Sequence, residues 1–252
     1  MSKSKIKRIL PLLCLLSAAA CLLSACAGLP SLDRSGDKVI DKKSGITYYY
    51  APSVYRPTSY SKDAVFTDGK NHSYRKVADR NGNFAAIDEL IYDYTSDSLL
   101  YSPKSPLPTL EQMAPSTLRF YYEDTVANLL HSDTNTENIA RIIEIYRSGI
   151  NCKSPDATVG DIYTITFTSE ELPFFAYALT YVEYTQDVLE YEETATLEGY
   201  TFREGVAHTE EQNADGSYTV TYNYGKYFLC DLDNRICTPA QFIHDTYNNT
   251  NE

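Results

Sequence analysis

The 252-residue chain has no tryptophan, two methionines and few basic residues: 22 Lys and Arg face 34 Asp and Glu, a formal net charge of −12. This acidic balance argues against nucleic acid as a partner, because phosphate binding needs clustered Lys and Arg. The chain also lacks the unbroken run of roughly 20 apolar residues that a membrane-spanning helix needs. Its hydrophobic fraction of 43% is enough for the core of one ordinary domain or two small ones.

Reaction signatures are missing as well. The chain contains no G-x-S-x-G nucleophile elbow, no H-E-x-x-H zinc motif and no glycine loop that would cradle phosphate. With 34 acidic residues, adjacent carboxylates arise by chance, so no pair can be nominated for glycoside hydrolysis. The sequence therefore predicts no catalytic residue, no metal site and no cofactor.

The N-terminus has the layout of an export signal. Residues 1–8 carry four basic residues and no acidic one, and Ile9 to Leu23 is almost wholly apolar or small. The run ends in Leu23-Ser24-Ala25-Cys26, which resembles the lipobox of bacterial lipoproteins. This resemblance covers the first 26 residues only. It implies cleavage before Cys26 and diacylglycerol on its thiol, so that acyl chains anchor the chain on the exported face of a bacterial cell membrane. The alternative is an ordinary cleaved signal with an incidental cysteine.

The rest of the chain divides by composition. Residues 27–45 are polar, contain Gly and Pro and show no sustained period, which is typical of a flexible tether. Four prolines between residues 102 and 116 mark a boundary. The predicted organisation is a signal peptide (1–25), a lipidated N-terminus and tether (26–45), an N-terminal β-rich subdomain (46–102), a Pro-rich connection (103–116) and a C-terminal α+β subdomain (117–252) that shares its core with the first.

Period-2 alternation predicts half-buried strands at 161–168 and 217–224, and Asp215-Gly216 supplies a hairpin turn. Apolar residues at helical spacing predict one amphipathic helix over about 137–148, with Thr136 as its N-cap. Thr238-Pro239 suits the start of a short C-terminal helix. Residues 121–131 fit a helix or a strand. The predicted class is α+β, mainly antiparallel hairpins with these two helices.

Two cysteines flank a predicted hairpin turn. Cys230 and Cys237 would face each other across the strands, and export permits a disulfide between them. Alternatively they are two small buried thiols, and zinc would need two further ligands. Cys152 is then unpaired. It could join His208 or His244 as a nucleophile and base, but no surrounding motif supports that pairing.

Tyrosine is the strong compositional anomaly, with 23 residues, all after the predicted cleavage site. Where Tyr48, Tyr49 and Tyr50 follow one another, strand alternation must turn at least one ring away from the core. These three are therefore candidate binding aromatics for a glycan or a protein. The alternative is that tyrosine fills a β-sheet core in place of tryptophan. His208 and Glu210, on one face of a predicted strand, fit a solvated strand end better than a metal or proton-transfer pair.

Together these features favour a lipid-anchored envelope protein that acts as a binding or interaction module. The expected partners are the membrane, through Cys26, and an envelope protein or glycan. The competing hypothesis is an envelope hydrolase that acts on glycan or peptide with residues that meet only in the fold.

Overall fold

A computed structural model describes residues 29–78, 90–104, 106–123, 127–148, 157–231 and 236–248. About 48% of the described residues lie in strands and about 11% in helices. The α+β class predicted from the sequence is therefore wrong: antiparallel sheets form the architecture, and two short helices cover only a small part of it.

The strands are β1 (Asp33–Ser35), β2 (Lys38–Asp41), β3 (Ile46–Tyr50), β4 (Tyr55–Pro57), β5 (Phe66–Thr67), β6 (Ser73–Lys76), β7 (Leu90–Asp93), β8 (Ser98–Tyr101), β9 (Thr117–Glu123), β10 (Ala127–Asp133), β11 (Val159–Thr168), β12 (Phe175–Tyr184), β13 (Leu189–Thr194), β14 (Ala207–Gln212), β15 (Tyr218–Asn223), β16 (Tyr227–Asp231) and β17 (Ile236–Pro239). The helices are α1 (Thr136–Ser148) and α2 (Gln241–Ile243), the latter continuing as a π-helical turn, His244–Asn248.

The first sheet closes on itself. Its order is β1-β2-β3-β8-β7-β6-β5, and a parallel bridge between Ser31 and Thr67 joins the two ends. The amide of Leu32 donates to the Thr67 carbonyl at 2.7 Å, and the Thr67 amide donates to the Pro30 carbonyl at 3.1 Å. The ring of strands encloses a small apolar core of Leu32, Val39, Tyr48, Tyr74, Ile91 and Leu100.

The prediction of a flexible tether over residues 26–45 is wrong for residues 29–45, the part that the structure describes. Strands β1 and β2 lie within it, and Val39 pairs with Tyr48 of β3. Leu32 and Val39 are 1% and 0% exposed. Burying these two apolar side chains stabilises the segment on the first sheet, so this polar stretch folds in spite of its composition.

The second sheet has the order β10-β9-β11-β12-β16-β17, and β4 pairs with the first half of β12. One of its faces packs against the first sheet, α1 and α2 in a shared core. Members of that core from both predicted subdomains include Leu90, Tyr92, Leu99, Phe120, Ile142, Ile165, Tyr181 and Ile243. The Pro-rich connection belongs to it too, because Leu110 and Met113 are 1% and 0% exposed.

A third sheet, ordered β13-β15-β14, covers part of the opposite face of the second. Val220 and Tyr222 are fully buried against Val182, Phe228 and Cys230. Outside this core, Arg203 donates to both carboxylate oxygens of Glu190 at 2.6 and 2.8 Å. The rest of the opposite face of the second sheet carries the cavity that is lined by threonines of β11 and is described in the next subsection.

Local predictions had mixed outcomes. Residues 121–131, which the sequence left open, contribute to the strands β9 and β10. The N-cap of α1 is Asn135 and not Thr136, since its Oδ1 accepts the Glu137 amide at 2.9 Å. Thr238 and Pro239 lie in β17 and not in a helix, because they complete a ladder with Leu229 and Phe228.

Candidate functional site

The short strand β4 lies at the junction of the two large sheets. It pairs with the start of β12, with Arg56 opposite Ala176 and Tyr55 opposite Tyr177. The Tyr55 hydroxyl donates to the Pro108 carbonyl at 2.6 Å. Burial, together with the neighbouring Tyr177, raises the pKa of Tyr55 to about 12, so this hydroxyl stays protonated and remains a donor. These contacts hold β4 in place, while the Arg56 side chain is exposed.

A cavity of about 520 Å³ lies on one side of β4, which we call the junction cavity. Its wall includes the hydrogen-bonded pair Tyr92 and Asp97, in which the Tyr92 hydroxyl donates to the Asp97 carboxylate. Burial and this contact raise the pKa of Tyr92. The junction cavity is lined by Ala51, Pro52, Ser53, Tyr55, Arg56, Pro57, Tyr92, Asp97, Ser98 and Leu99.

A second cavity, of about 460 Å³, also borders Arg56. Alternation along β11 places Thr164, Thr166 and Thr168 on the face opposite the shared core, and they form its floor. We call it the threonine cavity. It is lined by Arg56, Pro57, Thr58, Arg119, Tyr121, Ala127, Thr164, Thr166, Thr168 and Ala176.

The two cavities share Arg56 and Pro57, so both border β4. Their volumes fall within the range typical of small-ligand sites, and ligand sites occur preferentially where two folded units meet. The cavities combine guanidinium groups, hydroxyls and tyrosine rings, a set that can bind a polar ligand by hydrogen bonds and ring contacts.

The predicted aromatics lie elsewhere. Tyr48 is 2% exposed inside the first sheet, whereas Tyr49 and Tyr50 are half-buried. The Tyr50 ring lies under Arg34 at 5.5 Å, and its hydroxyl donates to Asp93 at 3.5 Å. None of the three lines either cavity beside β4.

The exposed tyrosines were not identified from the sequence. Tyr191 is 66% exposed on the open face of the third sheet, and Tyr94 is 51% exposed. The Arg75 guanidinium lies 4.0 Å from the centre of the Tyr94 ring and 5.3 Å from that of Tyr60. Composition alone cannot separate such rings from core tyrosines, because both types occur in strands.

The structure describes one of the predicted cysteine sites, the pair Cys230 and Cys237. Cys230 and Cys237 are opposite each other on β16 and β17, with their Cα atoms 4.2 Å apart, and a disulfide joins them. Cys26 and Cys152 lie outside the described residues. The predicted lipidation of Cys26 and the pairing of Cys152 with a histidine thus stay predictions.

The histidines belong to separate structural contacts. His208 stacks on Phe202 with ring centres 4.2 Å apart, and its Nε2 lies 3.6 Å from Glu210. His244 stacks on Tyr227 at 4.0 Å, and its Nδ1 lies 3.1 Å from Glu183. Neither histidine lines the junction cavity or the threonine cavity.

A buried polar cluster lies at one end of the first sheet. Asp93 is 0% exposed and accepts hydrogen bonds from His72 Nδ1 at 2.8 Å and from the Thr95 amide at 3.1 Å. Arg34 contacts the other ring nitrogen of His72. Since both nitrogens are engaged, this His–Asp pair offers no free base to a substrate.

Within the described ranges, no group of three or more His, Cys, Asp or Glu side chains could hold a metal ion. No helix in the described part of the chain combines the length and apolarity needed to cross a bilayer. No protein-family model matches the chain, and comparison with curated proteins and with solved structures finds no significant match.

Sequence reasoning missed Arg56 and Arg119, the two guanidiniums of the threonine cavity. The floor of the threonine cavity is visible in the sequence, since threonines alternate with Tyr163, Ile165 and Phe167 along β11. That pattern predicts a polar sheet face but not what lies above it. The arginines reach it from β4 and β9, strands distant in sequence from β11.

Proposed function

We propose that this protein is a lipid-anchored component of a bacterial cell envelope that binds a small polar ligand in the cavities beside β4. The observation that carries the binding function is the pair of cavities, about 520 and 460 Å³, that share Arg56 and Pro57. The lipobox Leu23-Ser24-Ala25-Cys26 supports the anchor.

The make-up of the cavities favours binding over hydrolysis. A glycosidase needs two carboxyl groups roughly 5 to 9.5 Å apart on either side of the scissile bond. Among the described residues that line the two cavities, Asp97 is the one carboxylate, and it accepts the Tyr92 hydroxyl. The envelope hydrolase remains the competing hypothesis. It would gain support if a ligand of the junction cavity were cleaved and Asp97→Asn abolished the cleavage.

The anchor can be tested in growing cells. The full chain is expressed in a bacterial host that is fed an alkyne-bearing fatty acid, and incorporation is read after coupling to a fluorophore. We expect the wild type to be labelled and Cys26→Ser to be unlabelled. Cys14→Ser and Cys21→Ser are matched controls in the same leader and should label like the wild type. An unlabelled wild type, or a labelled Cys26→Ser, would contradict the anchor.

Binding can be tested separately, on the full chain in detergent micelles. A thermal-shift screen covers glycan fragments, peptidoglycan pieces, free amino acids and short peptides. A ligand present at 100 times its dissociation constant stabilises the folded state by about 2.7 kcal/mol, which corresponds to a rise in Tm of about 5–10 °C for a chain of this size. A rise that grows with concentration for one class supports the proposal. No rise with any class contradicts it.

A further inference from the structure

Arg119 differs from the other basic residues around it. It lies at the centre of β9, opposite Thr166, and its side chain is half-buried. Within the part of the chain that the structure describes, it makes no ion pair, no side-chain hydrogen bond and no ring contact. An arginine carries five donors and always keeps its charge, so this guanidinium is available to an anion that enters the cavity.

The groups around Arg119 are suited to an anion. Thr166 is its cross-strand neighbour, and Thr168 lines both the threonine cavity and a smaller cavity of about 260 Å³ that Arg119 also borders. Arg56 borders the threonine cavity from β4. No carboxylate is among the described residues that line the threonine cavity, in a chain with 34 acidic residues.

We propose that the threonine cavity is an oxyanion site, in which Arg119 is the principal contact for a carboxylate or phosphate group and the threonine hydroxyls add hydrogen bonds. The planar guanidinium fork matches the two oxygens of either group, which gives bidentate and charge-assisted hydrogen bonds. This inference rests on the proposed binding function, because the oxyanion would be one group of the ligand held beside β4.

Charge and size further define the ligand. A protein with a net charge of −12 repels polyanions at a distance, so a compact ligand with one oxyanion is favoured over an acidic polymer. A cavity of about 460 Å³ accommodates such a molecule.

Glu170 lines the adjoining smaller cavity with an exposed side chain, and it forms no ion pair with Arg119. Replacing it with Gln should therefore strengthen anion binding modestly.

The test measures how fast Arg119 reacts with phenylglyoxal, residue by residue, by mass spectrometry of the full chain in detergent micelles. Reactions contain sodium acetate, sodium phosphate or sodium chloride at equal ionic strength. Arg141, which lies 61% exposed on α1, is the internal control in every sample. We expect acetate or phosphate to slow modification of Arg119 at least fivefold relative to chloride and to change that of Arg141 less than twofold.

Comparing the acetate and phosphate reactions identifies the preferred anion. Slower modification of Arg119 in acetate alone indicates that the site binds a carboxylate, and slower modification in phosphate alone indicates that it binds a phosphate group. Thr166→Val should reduce the protection at least threefold, whereas Thr221→Val on the third sheet should leave it unchanged. Equal rates for Arg119 in all three salts, or parallel slowing of Arg119 and Arg141, would overturn the inference. If these salts have no specific effect while a neutral ligand still raises the Tm, the oxyanion site fails and the proposed binding function stands.

Discussion

The hydroxyl of Tyr146 donates a hydrogen bond to the carboxylate of Asp231 at 2.8 Å, and this contact ties α1 to β16. Asp231 is 0% exposed, and the Tyr177 hydroxyl lies 3.0 Å from that of Tyr146. Burial raises the pKa of Tyr146, and its hydrogen bonds to Tyr177 and Asp231 raise it further. The hydroxyl therefore remains a donor to the buried carboxylate throughout the physiological range.

Removing that donor should destabilise the fold. Tyr146→Phe keeps the ring but leaves Asp231 without this hydrogen bond, which should lower the free energy of unfolding by about 1–3 kcal/mol. Urea denaturation of the full chain in micelles measures the change. Tyr191→Phe is the matched control, because Tyr191 is 66% exposed, and it should change stability by less than about 0.5 kcal/mol. Equal stability of the two variants would contradict this account.

Asp133 should contribute to stability only above acidic pH. Burial tends to raise its pKa, but hydrogen bonds from Asn138, Tyr247 and the backbone outweigh burial and hold the pKa below 3.8. A carboxyl with a lowered pKa in the folded state stabilises the fold fully at a pH well above its unfolded pKa of about 3.9, and this contribution is lost as pH falls through the lower folded pKa.

Asp133→Asn should accordingly be less stable than the wild type at pH 7 and at pH 5. The gap in the free energy of unfolding should shrink steadily between pH 5 and pH 3. Urea denaturation at four pH values measures it, and the difference between the two proteins isolates Asp133 from the other carboxylates. A gap that stays constant across this range would be inconsistent with the hydrogen bonds described.

The disulfide between Cys230 and Cys237 spans 7 residues of sequence. The chain-entropy relation for so short a loop gives a stabilisation of about 2–3 kcal/mol. Reduction with a phosphine should therefore lower the free energy of unfolding by about that amount. The variant in which both cysteines are replaced with Ala is the control and should not respond to the reductant. An equal response of both proteins would show that the reductant acts elsewhere.

Gly160 allows β11 and β12 to approach closely. A Cβ atom at this position would lie 2.9 Å from the backbone oxygen of Glu183, next to an irregularity in the register between Val159 and Asp161. Gly160→Ala should destabilise the protein by about 1–3 kcal/mol, because backbone must move to admit the methyl group. Thr185→Ala should not rescue it, since the conflict is with the backbone. A Gly160→Ala protein as stable as the wild type would refute the close contact.

Alternating patterns predicted the strands at 161–168 and 217–224, and the facing of Cys230 and Cys237 is confirmed by the register of β16 and β17. Such features depend on neighbours in sequence. Strands β1 and β2 could not be predicted in this way. They fold because Leu32 and Val39 enter a core completed by Tyr74, Ile91 and Leu100, and no local period reveals those partners.

The prediction of the fold class was wrong for a related reason. The apolar positions of α1 and the single proline Pro239 drew attention to helices, but about 48% of the described residues lie in strands. Arg56 and Arg119 were missed because each is an ordinary arginine in a short or ambiguous strand. Only the pairing of β4 with β12 and of β9 with β11 brings their side chains to the same row of threonines.

The most direct test of the central claim asks whether ligand binding depends on Arg56, the residue shared by both cavities. The thermal-shift screen is run side by side on the wild type, Arg56→Ala and the control Arg141→Ala, all as full chains in micelles. We expect at least one ligand class to raise the Tm of the wild type and of Arg141→Ala by about 5–10 °C at saturation, and that of Arg56→Ala by less than half as much. A wild type that no class stabilises, or an Arg56→Ala protein that responds in full, would contradict a binding site beside β4.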